Sequence, residues 1–351
     1  MADSGPMDQF SAHLDRGWDL YNRGDLAGAR LSAEKSLELD AQSPEAHHLL
    51  GYIRAAEGSP EDALEHYRQA VELDERFVEA MLDAAGVLIH PLHDFDAALE
   101  MVDEALHVAQ CTDEVADALL VKFDAFMHRG DCESARALAG SLPSGPFDSV
   151  RLEFGVGRAR FEVGDLPGAE PLLRSAVKRD PLYAEAHYFL GLLLDAKDDT
   201  RGATLEFLKT RSLDLQQPPP RWSLSSEQLE GRVKATIEEL PPAARKAVKQ
   251  TLIVVGDLPG AEIVVDGMDP RAGILLDEVR GSEAKAGAEV GRLFIYQRNL
   301  ERLAGNAVEL DRELAQCLGQ ELAAVFPTLR GVLGAQERGT SVRPQVPIDR
   351  H

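Results

Sequence analysis

An all-α helical-repeat solenoid followed by a small α+β domain is the fold class predicted by this sequence, and three observations predict it. Small residues recur at Gly17, Gly51 and Ala85, and again at Gly157 and Gly191, each neighbouring pair 34 residues apart. Three successive prolines, Pro218 to Pro220, then interrupt the helical pattern. Beyond them the apolar spacing changes, and β-branched and aromatic runs such as TLIVV (251–255) and RLFIY (292–296) take over.

Within the repeated region, an alanine stands 12 residues after Gly17, Gly51, Gly157 and Gly191 (Ala29, Ala63, Ala169, Ala203), and a turn residue precedes each alanine by five (Gly24, Gly58, Gly164, Asp198). The pattern predicts two helices joined by a short turn, with small residues where the helices approach closely and apolar positions such as Tyr67, Ala70 and Val71 at helical spacing. Two units are degraded. HPLHDFDAALEMVDEAL carries an extra residue before Ala98, and the unit through Gly130, Asp131 and Ala135 stops early in the loop GSLPSGPFDS. About six units are expected over residues 10–215.

Leu50-Gly51, Gly58, Ala63, Tyr67 and Ala70 in one unit, and Gly157, Gly164, Ala169, Ala176 and Pro181 in another, resemble the tetratricopeptide repeat. The resemblance implies a stack with a concave groove for a protein partner, and it places groove-facing positions on Trp18, Tyr21, His48, Tyr52, Arg158, Phe161 and Tyr188. Each of these is open to a second reading as an inter-repeat packing residue. The basic and asparagine clamp by which some members of that family hold a C-terminal carboxylate is not expected, because Leu14 and Trp18 stand where its first residues belong.

A Pro-rich linker is expected at 216–225 and an α+β domain at 226–330. Ser225 with Gln228 predicts a capping box for a helix through Leu240, and Pro241-Pro242 stops that helix and can start another. Residues 307–326 predict a helix with Leu310, Leu314, Leu318, Leu322 and Val325 on one face. GDLPGAE occurs at 164–170 and again at 256–262; in its second context, after TLIVV, it reads as a turn. The tail at 331–351 is polar and predicted to be disordered.

The order LPPAARKAVKQTLIVVGDLPG, GRLFIYQRNLERLAG and a long helix ending ELAAVFP resembles the small bacterial zincin-like metallopeptidase family over roughly residues 228–327. That family's final helix carries H-E-x-x-H, two imidazoles one turn apart sharing a zinc whose bound water the glutamate activates. Here the matching residues are Gln320, Glu321, Leu322, Ala323 and Ala324, so both histidines are missing and the resemblance implies a catalytically inactive domain. No histidine lies between His187 and His351, and the domain's one cysteine, Cys317, reads as a buried apolar residue. No catalytic residue, metal ligand or cofactor is therefore expected, and no nucleotide-binding or serine-hydrolase motif occurs. The rival reading is a metallopeptidase with a displaced site built from Glu321, Asp311 or Glu313 and a ligand from the repeats.

Charge narrows the choice of partner. The 351 residues hold 60 acidic and 37 basic side chains, and residues 1–128 alone hold 27 and 8. Such a field repels nucleic acid and anionic membranes; it reads either as a solvated face or as a steering field that can raise encounter rates with a basic partner by roughly 10–10³. Three widely spaced cysteines suggest a reducing compartment, and the absence of a basic-then-apolar leader or a long apolar run suggests the cytoplasm. Arginine outnumbers lysine 28 to 9, which hints at a GC-rich bacterial genome. The expected function is a non-enzymatic cytoplasmic adaptor or regulator that binds one or more proteins, with a co-regulator of a signalling enzyme such as a small GTPase or kinase as a further alternative.

Overall fold

The computed structural model describes residues 6–280 and 289–333. The expectation of a disordered tail falls, from residue 334 onward, outside the described residues. Compactness divides the chain into two units, 1–175 and 176–351.

The first unit is a succession of helix pairs: α1 (Pro6–Asn22) with α2 (Leu26–Leu39), α3 (Pro44–Ala56) with α4 (Pro60–Leu73), α5 (Val78–Ile89) with α6 (Phe95–Val108), α7 (Thr112–Arg129) with α8 (Cys132–Ala139), and α9 (Val150–Glu162) with α10 (Leu166–Arg179), whose last turn crosses the division. Local chemistry fixes each turn. Gly24, Gly58 and Gly164 take left-handed φ values of 73°, 80° and 86°, which glycine adopts without a Cβ clash. After Gly24 and Gly164 an aspartate caps the next helix, Asp25 accepting from the Gly28 N–H and Asp165 from the Gly168 N–H, whereas Ser59 after Gly58 makes no side-chain cap. Asp40 and Asp74 close the loops between repeats by accepting from the Gln42 and Arg76 N–H groups.

Packing explains the small residues. A Cβ at Gly51 would stand 2.3 Å from the Tyr67 ring, so glycine is what allows α3 and α4 to approach. Ala29, Ala63 and Ala169 are fully buried at the matching positions of the second helices. As the sequence indicates, α8 is short.

His47 on α3 and His66 on α4 bring their Nδ1 atoms within 3.4 Å. Burial holds both imidazoles below their ordinary 6.5, and at His66 the His47 ring and the nearby Arg54 lower it further. The unfolded chain therefore binds protons that the folded one refuses. Their contribution to stability is full above about pH 6.5 and is lost as pH falls through the depressed folded values. His66→Gln should flatten this loss between about pH 7.5 and 5.5, measured by urea unfolding at both; an unchanged loss would exclude the pair as its source.

The second unit begins with α11 (Ala184–Ala196) and α12 (Thr200–Gln216), where Asp198, at φ 61°, takes the turn position that glycine holds in the earlier pairs. Then come α13 (Ser226–Glu239), α14 (Pro242–Val248), β1 (Leu252–Gly256), α15 (Ala261–Val265), β2 (Ile274–Arg280), β3 (Glu289–Tyr296), α16 (Gln297–Ala304), α17 (Leu310–Val325), a 3₁₀ turn (Pro327–Leu329) and α18 (Arg330–Leu333). The Ser225–Gln228 capping box is formed in both directions. The sheet order is β1-β3-β2, with β1 parallel and β2 antiparallel to the central β3. Ile253, Val255, Leu293, Ile295, Ile274 and Leu276 share one sheet face by register, and all pack in the core that also contains Leu310, Leu314, Leu318 and Leu322.

Five elements here have no counterpart in the sequence analysis: β2, α15, α16, the 3₁₀ turn and α18. β2 is an edge strand whose alternation, Ile274 and Leu276 inward against Asp277 outward, is cut short by charge. α16 starts directly at the end of β3 without a side-chain cap to announce it. The second GDLPGAE leads from β1 into the short α15.

Candidate functional site

The first unit gathers four of the predicted residues into one aromatic patch. Trp18 and Tyr21 lie one turn apart on α1, and His48 and Tyr52 one turn apart on α3. Their rings meet edge to face, with centroids 5.2 Å apart for Trp18–Tyr52, 6.0 Å for Trp18–Tyr21, 5.8 Å for Tyr21–Tyr52 and 5.1 Å for His48–Tyr52. Trp18, Tyr21 and Tyr52 remain half-buried, whereas His48 is buried against Tyr67 and Phe77.

Asp83 on α5 completes the patch. Its Oδ2 lies 2.7 Å from His48 Nε2, and its carboxylate lies near the Tyr52 hydroxyl. Burial, then the Asp83 charge, push the phenols of Tyr52 and Tyr21 above their usual value. Both therefore remain neutral hydroxyls beside the carboxylate at physiological pH. The acidic surface continues onto α7, where burial and the neighbouring Asp113 and Asp83 raise the Asp117 carboxyl against the opposing pull of Arg151. Chemically, the patch offers half-exposed aromatic surface beside carboxylates, a surface suited to holding a side chain and lacking a nucleophile–base pair.

The other predicted residues lie elsewhere. Arg158 on α9 is committed to ion pairs with Asp124 at 2.8 Å and Glu162 at 3.7 Å. Phe161 is 2% exposed, so its side chain belongs to the packing between helices and is closed to a partner. In the second unit, Tyr188 donates its hydroxyl to Asp269 at 3.0 Å and carries the Arg271 guanidinium 4.7 Å above its ring. Arg271 also reaches Glu185 at 3.2 Å and makes two bonds to Asp214 at 3.0 and 3.1 Å.

Asp83, Asp117 and Asp124 are acidic neighbours of the predicted positions that the sequence analysis did not single out. A signal for them existed: His48–Asp83, Asp117–Arg151 and Asp124–Arg158 are bonded pairs separated by 35, 34 and 34 positions, about one repeat.

Around α17, Asp311 pairs with Arg232 at 2.9 Å, Glu313 is buried beside Arg312, and Glu321 is half-buried. Among the described residues no three His, Cys, Asp or Glu side chains are placed to hold a metal. A cleft of about 580 Å³ in the second unit is lined by Tyr183, Trp222 and the prolines 218–220 together with Arg298 and Arg302. Its arginines are engaged internally, Arg298 with the carbonyls of Leu215 and Gln217 and Arg302 with Asp214. Among the described residues no helix is long and apolar enough to cross a membrane.

No curated protein matches the chain. Among solved structures, it is similar to the pilF protein of Pseudomonas aeruginosa (18% identity, 61% of this chain and 96% of that one, TM-score 0.48). It is also similar to PilW, a type IV pilus biogenesis factor (16%, 63% and 97%, TM-score 0.47), and to a tetratricopeptide repeat protein of Parabacteroides merdae (17%, 66% and 84%, TM-score 0.45). The family model for the tetratricopeptide repeat matches residues 14–76 and 156–209, the segments that hold α1–α4 and α9–α12. Those two segments therefore match the tetratricopeptide repeat.

Proposed function

We propose that this protein is a non-enzymatic cytoplasmic adaptor whose first unit binds a protein partner with a basic surface through Trp18, Tyr21 and Tyr52. The observation that carries the reading is the half-exposed aromatic patch lying against Asp83 in a strongly acidic repeat array. Tryptophan and tyrosine are the residues that most often dominate binding energy when they sit at the centre of an interface. The α/β elements of the second unit serve as a further interaction surface, an inactive zincin-like domain in which Glu321 alone remains of the metal-binding motif. Through two such surfaces the chain can hold a signalling enzyme and its co-regulator together.

Affinity capture with the full chain, compared with the Trp18→Ala/Tyr52→Ala double variant, tests the reading. Proteins retained by the parent should be lost by the variant, consistent with a penalty of about 2 kcal/mol or more per anchor. Retention of the same proteins by a folded variant would remove the patch from the interface.

A further inference from the structure

We propose that the aromatic patch on α1 and α3 receives an arginine side chain of the partner. The inference rests on the reading of that patch as the partner surface and names the chemistry it takes.

The molecule contains its own example of the recognition. In the second unit, Tyr188 packs edge-on against Phe189 at 5.8 Å, and its face still carries a guanidinium, that of Arg271, 4.7 Å from the ring centroid. Two carboxylates fix the orientation of that guanidinium: Asp214 takes two of its N–H groups and Glu185 a further one. The ingredients are a tyrosine face on the first helix of a repeat and carboxylates on that helix and on its neighbour.

The first unit assembles the same ingredients. Tyr52 lies on the first helix of its pair, is edge-packed against Trp18, and has Asp83 at its hydroxyl, while Glu79 acts on it from the same helix as Asp83. The Asp83 side chain is 30% exposed, open enough to accept a further donor. Charge complementarity selects the ligand. Residues 1–128 hold 27 acidic against 8 basic side chains, so the carboxylates here outnumber the cations that could neutralise them from within. A planar guanidinium can stack on a ring and bond a carboxylate with its edge at the same time, whereas an ammonium is a compact charge without a stacking face.

The test uses immobilised pools of 12-residue peptides, random except for a fixed central arginine, lysine, glutamine or leucine, probed with the full-length chain. Arginine pools should retain at least tenfold more protein than glutamine pools and clearly more than lysine pools. The Trp18→Ala/Tyr52→Ala variant should lose that retention, and Asp83→Asn should bring the arginine-to-glutamine ratio close to one. Circular dichroism of each variant controls for folding. In parallel, the fluorescence of Trp18 in a Trp222→Phe background should respond to arginine peptides, which reads the contact without altering the patch. Equal retention of all four pools by the parent, lost in the double variant, would overturn the arginine assignment and leave the patch as a binding surface. Pools retained equally by parent and double variant, with Trp18 silent, would overturn both.

Discussion

Replacing Asp214 by alanine should destabilise the second unit by about 3–5 kcal/mol, the range expected when one partner of a buried ionic cluster is removed. The Asp214 side chain is 4% exposed, and three contacts converge on it: two from Arg271 and one, at 2.9 Å, from Arg302. Without it, Arg271, itself only 12% exposed, keeps Glu185, whose side chain is 46% exposed and so far more weakly coupled. Burial already lowers the Arg302 pKa, and the neighbouring Arg271 lowers it further, so loss of Asp214 leaves two cations repelling each other in a poorly solvated place. Urea unfolding of the full chain, followed by the fluorescence of Trp222, which packs against the second unit's core, measures the effect. A loss below about 1 kcal/mol would mean that water reaches the cluster and that its bonds are worth no more than surface pairs.

Tyr67→Ala should cost the first unit a similar amount, about 3–5 kcal/mol, because it empties the largest side chain from a core that cannot close over the gap. Tyr67 is 2% exposed and packs onto α3, against Gly51 and the rings of His48 and Tyr52. The effect should extend to binding, since Tyr67 supports the rings of the patch. Gly51→Ala alone pushes a Cβ into the Tyr67 ring and should destabilise; in the Tyr67→Ala background the same change fills part of the cavity and should become neutral or favourable. That reversal of sign in a double-mutant cycle, read by thermal unfolding, is the specific signature of the contact. Simple additivity would show that the two residues do not share the space.

The repeat pattern was readable because a close helix crossing leaves little choice of residue: Gly51 and Gly191 face aromatic rings across the pair, and the turns need left-handed residues. The patch was readable for a related reason, since Trp18, Tyr21, His48 and Tyr52 sit at fixed offsets from those small residues. What stayed hidden depends on distant partners. Nothing local to Phe161 or Tyr188 tells that one faces inward while the other is already occupied by Arg271, which comes from 83 positions later. The proline run marks a break in helical pattern, yet Arg298 bonds the carbonyls at the end of α12, and the contacts group α11 and α12 with the α/β elements that follow. β2 and α16 were missed because neither carries its own start signal.

The side-chain pairs one repeat apart have a consequence for how such an array can evolve. In His48–Asp83 the basic member comes first along the chain; in Asp117–Arg151 and Asp124–Arg158 the acidic member does. Polarity therefore reverses between α5 and α7, where Asp83 and Asp117 repel each other across the junction. Repeats that look alike in their glycines and alanines are thus not interchangeable. Shuffling or duplicating one of them would set carboxylate against carboxylate, or strand an arginine beside apolar wall, so the order of the units is written in their charges and gives the array a direction that its backbone repeat alone does not possess.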